Sequence, residues 1–146
     1  MYRSFVSFEA DRGRFPTTGR PPGAELARWV SDALDAASLP HEGPHDREGW
    51  AWELYRVEGK VTVVSIVGLS HDGPRQWQVH TYATSPVRRR LLSRRAGRSE
   101  REDALRPWCS ALDRALKGDP AFENVRWYDP EAFDRDHGET WADSPG

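Results

Sequence analysis

The sequence predicts a single α+β domain in which two helices pack on one face of a mainly antiparallel sheet. Three observations lead to this prediction. The chain of 146 residues fits one domain of ordinary size, several short runs have the aromatic and β-branched composition of strands, and two longer segments carry apolar stripes at helical spacing. The predicted order over residues 1–128 is β-α-β-β-β-α-β. Placing both helices on one face buries both stripes.

The first strand and the first helix have clear signals. The run YRSFVSFEAD places Phe5, Val6 and Phe8 close together, which predicts a strand. The Gly- and Pro-rich stretch RGRFPTTGRPPG then predicts a loop. From Ala24 the apolar residues change to the spacing of an amphipathic helix, which Pro40 ends. The residues of this stripe are Leu26, Trp29, Val30, Ala33, Leu34 and Ala37.

The middle of the chain predicts a loop and then a β-meander. The segment HEGPHDREG is polar and contains Gly43 and Pro44, so we expect a loop there. Three strand-like runs follow: WAWELYRV, KVTVVSIVGLS and QWQVHTYATS. Glu58 and Gly59 are compatible with a two-residue turn between the first two runs, and HDGPR joins the last two.

A second apolar stripe predicts the second helix, which ends at Gly118. Ser99 and Glu102 have the spacing of a capping box at its start. Because proline disfavours an interior position, Pro107 favours a later start, near Arg106. The stripe consists of Leu105, Trp108, Cys109, Leu112, Ala115 and Leu116.

The C-terminal part of the chain predicts one more strand and then a tail. The run FENVRWY, residues 122–128, has strand composition. Residues 129–146 are acidic and show no periodicity, so we expect an irregular tail.

The cysteine count and hydropathy predict a cytoplasmic protein. The single cysteine, Cys109, excludes an internal disulfide, and such chains are typical of reducing compartments. Because Cys109 lies on an apolar stripe, we expect it to be a buried, inert side chain. The N-terminus lacks the apolar run of a signal peptide, and no segment approaches the roughly 20 apolar residues of a membrane-spanning helix. We therefore expect no contact with a membrane.

Charge is strongly segregated along the chain. Residues 87–101 contain seven arginines and one acid, Glu100, whereas the whole chain has a net charge of -2. This segment is open to three interpretations: a solvated loop neutralised by the protein's own acids, a contact for an acidic protein, or a nucleic-acid contact. Nucleic acid is disfavoured because the rest of the chain is negative and the pI is about 6.2. The candidate residues are Arg88, Arg89, Arg90, Arg94, Arg95 and Arg98.

The acidic C-terminal region interleaves carboxylates with aromatic side chains. Such a surface suits a basic protein partner, because charge complementarity speeds association and aromatic residues supply strong contacts. The alternative is a solubilising, disordered end. The candidate partner-binding residues are Trp127, Tyr128, Asp129, Glu131, Phe133, Asp134, Asp136 and Trp141.

A polar site on the sheet is a third candidate. Glu53, His80 and Tyr82 fall on neighbouring predicted strands, and a Glu58-Gly59 turn would place Glu53 opposite Val64. Carboxylate, imidazole and phenol groups can perform acid–base chemistry when they are partly buried. The alternative is that they are solvent-facing polar residues of a half-exposed sheet. No nucleophile or oxyanion motif accompanies them.

The tryptophans admit two placements. We expect Trp50 and Trp52 to pack in the core beneath the helices, whereas an exposed Trp77 or Trp127 would mark a protein interface.

No pattern in the sequence predicts a metal or a cofactor. The four potential ligands His41, Glu42, His45 and Asp46 occur within six residues. Gly43 disfavours the helix that would align the two histidines, and no HExxH motif or cysteine pair is present. Phosphate-binding glycine patterns are also missing.

Together these features predict a non-catalytic protein-binding protein. In general layout, a small α+β chain with this charge segregation is similar to bacterial immunity and inhibitor proteins. That similarity implies a partner such as a toxin, whose surface the chain would block. The alternatives are a nucleic-acid-associated protein that uses residues 88–101, and a small enzyme centred on Glu53 and His80.

Overall fold

The computed structural model describes residues 2–70, 76–85 and 97–146. Within these ranges, one antiparallel sheet and three helices form a single α+β domain, as the sequence predicts. The strand order is β2-β3-β4-β5-β1-β6. The elements are β1 Phe5–Ala10, α1 Ala24–Ala36, β2 Glu42–Arg47, β3 Ala51–Glu58, β4 Val61–Leu69, β5 Gln76–Thr84, α2 Arg98–Gly118, β6 Phe122–Tyr128 and α3 Pro130–Asp136.

The core lies between the sheet and the two long helices. Strand alternation turns one set of side chains toward α1 and α2, and this set is the apolar one. The helices meet it with the buried stripes that the sequence predicts. Cys109 is fully buried in this layer, as expected, and burial raises the pKa of its thiol to about 12. The largest fully buried side chains include Phe8, Leu26, Leu34, Leu54, Trp77, Trp108, Leu112 and Trp127.

Helix α1 begins directly after Gly23, which lies against Trp77. Gly23 has φ +96°, and a Cβ there would come within 2.7 Å of the Trp77 ring. Glycine is therefore required both by the left-handed backbone and by the close approach of the ring. The helix ends at Ala36, before Pro40, as predicted.

Strand β2 corrects the loop predicted for the segment HEGPHDREG. Glu42 pairs with Tyr55 and His45 pairs with Glu53, so Gly43 and Pro44 together face a single residue of β3. This is a β-bulge on an edge strand, where proline's missing N–H is tolerated. The loop prediction was wrong because residues that usually break strands are accommodated in this bulge.

The turn between β3 and β4 lies one residue later than predicted. Glu58 pairs with Val61, so the turn residues are Gly59 and Lys60. Gly59 takes the left-handed φ of +58°. A shift of one residue in the turn moves each cross-strand partner by two positions. Glu53 therefore lies opposite Ile66, and the predicted Val64 partner was wrong.

Helix α2 begins at Arg98, eight residues before the later start that Pro107 suggested. Because proline has no N–H, the backbone carbonyl of Asp103 loses its helical hydrogen bond. Pro107 and Asp103 are both exposed, so this carbonyl can bond to water instead. The predicted capping box does not form, because Ser99 already lies inside the helix. Instead, Glu102 forms an ion pair with Arg98, one helical turn earlier, with Oε1 of Glu102 3.3 Å from Nε of Arg98.

A buried polar cluster joins α2 to the sheet. Ser65 Oγ lies 2.7 Å from Thr81 Oγ1 and accepts the indole N–H of Trp108 at 2.8 Å. Ser65 and Thr81 are 0% exposed and Trp108 is 1% exposed. These three hydrogen-bonding groups would be costly if they lost their partners, because water does not reach them.

We predict that Ser65→Ala lowers the free energy of unfolding by about 1–3 kcal/mol, because the Trp108 N–H is left buried without an acceptor. Urea unfolding measures this change. In a Trp108→Phe background, which removes that donor, the same substitution should cost less. Equal costs in the two backgrounds would show that the Trp108–Ser65 bond contributes nothing to stability.

Among the helices formed by the described residues, none combines the length and the apolar character needed to cross a membrane.

Candidate functional site

The face of the sheet turned away from α1 and α2 carries the candidate site. Register places Glu53, Ile66, His80, Phe5 and Tyr128 side by side in one row across five strands. Their sequence neighbours point the other way, into the core. This surface, the open face, combines aromatic, aliphatic and polar side chains.

Helix α3 covers one end of the open face. Asp129 caps the helix by accepting the N–H of Ala132 at 3.0 Å, and Pro130 occupies the first turn. The Phe133 ring lies 4.8 Å from the ring of Phe5 and 5.1 Å from that of Tyr128, centroid to centroid. These contacts place a helix inside residues 129–146, where the sequence predicted irregular structure.

The rest of the C-terminal segment folds back along β6. The backbone N–H and carbonyl of Trp127 both bond to Ala142, each at 2.9 Å, and the N–H of Arg3 donates to the carbonyl of Pro145. Asp136 accepts N–H bonds from Gly138 and Thr140. Hydrogen bonding to Thr140 in particular holds the pKa of the Asp136 carboxyl below its usual value.

A cleft of about 550 Å³ lies between α3 and the open face. We call it the His80 cleft. A space of about 430 Å³ continues from it toward Trp50, and another of about 230 Å³ continues toward Arg126. Ser70 and Gln78 line all three spaces, which are therefore adjacent, and we call the three together the groove of the open face. The His80 cleft is lined by Phe5, Ser70, Gln78, His80, Pro130, Phe133, Asp134 and His137.

His80 lies at the centre of the groove among aromatic rings. Its imidazole is 5.5 Å from the Phe5 ring and 5.6 Å from the Tyr82 ring. Burial lowers the pKa of His80 below 6.5, and the opposing effect of the Asp134 charge is smaller. The imidazole is therefore neutral at pH 7 and presents one acceptor nitrogen.

This pKa predicts a pH dependence of stability. Because the pKa is lower in the folded chain, the unfolded chain binds more protons once the pH falls below about 6.5, so the free energy of unfolding should decrease there. Once the pH is below the pKa of His80 in the folded chain, His80 should cause no further decrease in the free energy of unfolding. Urea unfolding between pH 7.5 and 4.5 should show a shallower decrease for His80→Gln than for the wild type or for the exposed control His137→Gln. Parallel curves for all three would contradict the shift.

The structure brings only two of the three predicted sheet-face residues together. Tyr82 touches His80, but Glu53 lies beyond the intervening strand β4 and pairs with Arg47 at 3.1 Å. The described residues show no hydrogen bond between His80 and Asp134. An acid–base group around Glu53 and His80 is therefore not assembled in the described part of the chain.

Two residues of the predicted acidic and aromatic surface are buried instead. Trp127 is 0% exposed, and its indole N–H donates to Asp113 of α2 at 2.8 Å. Tyr128 is 5% exposed, and its hydroxyl accepts a bond from Ser7. The prediction that both rings are exposed was wrong: the pairing of β6 with β1 turns Trp127 into the core, whereas Tyr128 lies on the open face and is covered by Phe133.

The remaining members of that predicted surface reach solvent to different degrees. Glu131 and Asp134 are exposed on α3, whereas the carboxylate of Asp129 caps the helix and that of Asp136 accepts N–H bonds from the turn after it. Trp141 is 44% exposed, and the guanidinium of Arg126 lies over its ring at 4.7 Å.

Most of the predicted basic surface, Arg88, Arg89, Arg90, Arg94 and Arg95, lies outside the described residues. Arg98 starts α2. Together with Arg101 it lines a cleft of about 290 Å³ whose other side holds Asp129 and Glu131. Arg98 and Arg101 therefore face Asp129 and Glu131 across this cleft, with Glu102 beside them paired to Arg98.

The potential metal ligands between residues 41 and 46 do not point to a common site. The His41 side chain is 3% exposed and bonds to Ser31 and to the carbonyl of Leu39, whereas the His45 ring lies against Tyr55. In the ranges that the structure describes, no three His, Cys, Asp or Glu side chains are grouped to hold a metal ion.

The tryptophan placements are mixed. Trp50 is 54% exposed in the turn before β3, with Arg47 over its ring, so its predicted core position was wrong. Trp52 packs against the core, and Trp77 is 1% exposed.

Sequence reasoning missed Ser70, Gln78 and His137, which line the His80 cleft, and it placed Phe133 on a partner-binding surface without predicting the helix that carries it. The dipeptide Asp129-Pro130 is a helix-start signal that would have indicated α3. The sequence carries no comparable signal that α3 returns to the sheet.

Comparisons of the chain with protein-family models, with curated proteins and with solved structures found no match.

Proposed function

We propose that this chain is a non-catalytic protein-binding protein of the inhibitor or immunity type, and that it binds its partner through the open face. The observation that supports this most strongly is the groove that crosses the open face beneath α3. It is a concave surface on the side of the sheet that α1 and α2 leave uncovered.

The floor of the groove is built from regular strands. It is formed by β4, β5 and β1, which lie in the middle of the sheet and pack on the core with their other face. A surface that is already ordered loses little conformational entropy when a partner binds. This favours a preformed docking site.

The composition of the groove resembles that of protein interfaces. Trp50 is exposed at one end, and Trp141 is exposed beside Arg126, which lines the other end. His80 lies between them, and Tyr82 lies beside His80 in the neighbouring cleft of the open face. Trp, Tyr and Arg supply most of the strong contacts at measured interfaces.

The same surface favours a protein over nucleic acid. The groove has carboxylates at Glu9 and Asp134, and its one described arginine, Arg126, already covers Trp141. Such a surface would repel phosphates. Catalysis is disfavoured because Glu53 pairs with Arg47, away from His80.

Photo-crosslinking in cells of the natural source tests the proposal. A benzophenone amino acid would replace Tyr82 on the open face or, as a control, the exposed Arg114 on α2. We expect one discrete protein adduct from position 82 and none from position 114. No adduct at position 82, or the same adduct at both positions, would contradict binding through the open face.

The inhibitor or immunity type is tested with the protein captured in this way. Expressed alone, that protein should impair growth or carry an enzymatic activity, and co-expression of this chain should suppress the effect. If the captured protein is fully active in the complex, the chain is not an inhibitor, although binding through the open face would stand.

A further inference from the structure

The His80 cleft has the chemistry of a site for a planar cation. Its described lining contains one carboxylate, Asp134, and no lysine or arginine. Asp134 is exposed and forms no ion pair with another described residue. Its charge is therefore available to a group that enters the cleft.

The cleft also offers hydrogen-bond acceptors and aromatic rings. The Phe133 ring stacks over the Phe5 ring, with their centroids 4.8 Å apart at an interplanar angle of 34°, and both side chains line the cleft. The imidazole of His80 and the amide of Gln78 line the same space. Each can accept a hydrogen bond, the histidine because it is neutral at pH 7.

The charge around the His80 cleft also favours binding of a cation. The segment from Asp129 to Asp136 carries four acids and one base, Arg135, and Glu131 is exposed on the same helix as Asp134. Asp129 and Glu131 face Arg98 and Arg101 across the neighbouring cleft, so Asp134 supplies most of the attraction on a positively charged group that enters the His80 cleft. A phosphate or carboxylate would be repelled.

We propose that the partner docks an arginine side chain in the His80 cleft, an inference that rests on the proposed function. A guanidinium is planar, carries five N–H donors and stacks on aromatic rings. A guanidinium therefore suits the Asp134 carboxylate, the acceptor atoms of His80 and Gln78, and the aromatic side chains that line the cleft. A lysine ammonium is more strongly hydrated and cannot stack in this way. Arginine is also one of the residues that most often dominate protein interfaces.

The arginine site can be tested without the partner. The probe is the blocked tripeptide acetyl-Gly-Arg-Gly-amide, titrated into the labelled full chain while the His80 ring and the Gln78 side-chain amide are followed by NMR. We expect saturable shifts at both groups. The citrulline peptide, which has the same shape without the charge, should bind at least about tenfold more weakly, because hydrogen bonds to charged groups are the stronger ones.

A matched pair of variants locates the charge that matters. Asp134→Asn should weaken binding of the arginine peptide about tenfold or more, whereas Asp32→Asn, which removes an exposed carboxylate from α1 on the other side of the molecule, should leave it unchanged. Equal shifts with the arginine and citrulline peptides, or equal losses in the two variants, would overturn the proposal.

Two further outcomes separate this inference from the proposed function. If position 82 crosslinks to a partner but the arginine peptide is not preferred, the arginine anchor is wrong and the binding function stands. If shifts at His80 grow with chain concentration in the absence of peptide, the guest comes from a second copy of the chain, and docking of a partner's arginine is overturned.

Discussion

Trp127→Ala is expected to lower the free energy of unfolding by about 3–5 kcal/mol. The side chain is 0% exposed, and its removal leaves a cavity between β6 and α2 and deprives Asp113 of a donor. Domains have a total stability of only about 5–15 kcal/mol, so part of the population could unfold at 37 °C. Urea unfolding followed by far-ultraviolet circular dichroism measures the loss.

Trp141→Ala is the matched control, since Trp141 is 44% exposed and the guanidinium of Arg126 lies over its ring. It should change stability by less than about 0.5 kcal/mol. If the two substitutions cost the same, Trp127 is not a core residue, and its removal from the partner-binding surface would be wrong.

Phe133→Ala is expected to have the largest effect on partner binding. Phe133 holds α3 on the sheet by contacting Phe5 and Tyr128, and α3 is one wall of the His80 cleft. Without this ring we expect α3 to detach, with about 100-fold weaker binding of the crosslinked partner, a loss typical of an interface hot spot. Global stability should fall by only about 1–2 kcal/mol, because the ring is half-buried.

Two measurements check this prediction: hydrogen exchange of the amides in α3, and calorimetric titration of the purified partner. Arg135→Ala, an exposed position on the same helix, should retain both amide protection and affinity. Lost protection in α3 with unchanged affinity would show that the partner does not use the cleft.

The elements with strong periodicity were predictable from the sequence. The stripe from Leu26 to Leu34 marks α1 and its buried side, and Phe122–Tyr128 has the bounds of β6. These signals are local, because a helix or strand that packs on one side must repeat its apolar residues at its own period. The α+β class follows from the order of the elements.

What could not be predicted depends on contacts between distant segments. Gly43 and Pro44 break most strands, but an edge bulge beside β3 accommodates them. The register of β3 and β4 depends on whether Gly59 is the first or the second turn residue, and the composition does not decide this.

The site was partly predictable for the same reason. Alternation along β5 places His80 and Tyr82 on one face, so their proximity follows from the sequence. The burial of Trp127 and Tyr128, however, follows only from the pairing of β6 with β1 and from the return of α3. Phe133 and Gln78 lie more than fifty residues apart and meet only in the folded chain.

Binding through the open face is tested most directly by the dissociation constants of two variants that add the same charge. Gln78→Arg fills the groove on the open face, and Ala36→Arg places an arginine at the exposed end of α1. With both variants folded by circular dichroism, we expect the crosslinked partner to bind Gln78→Arg at least about 100-fold more weakly, as when a central hot spot is lost, and to bind Ala36→Arg within about threefold of the wild type. Wild-type affinity for Gln78→Arg, or an equal loss in both variants, would contradict the account.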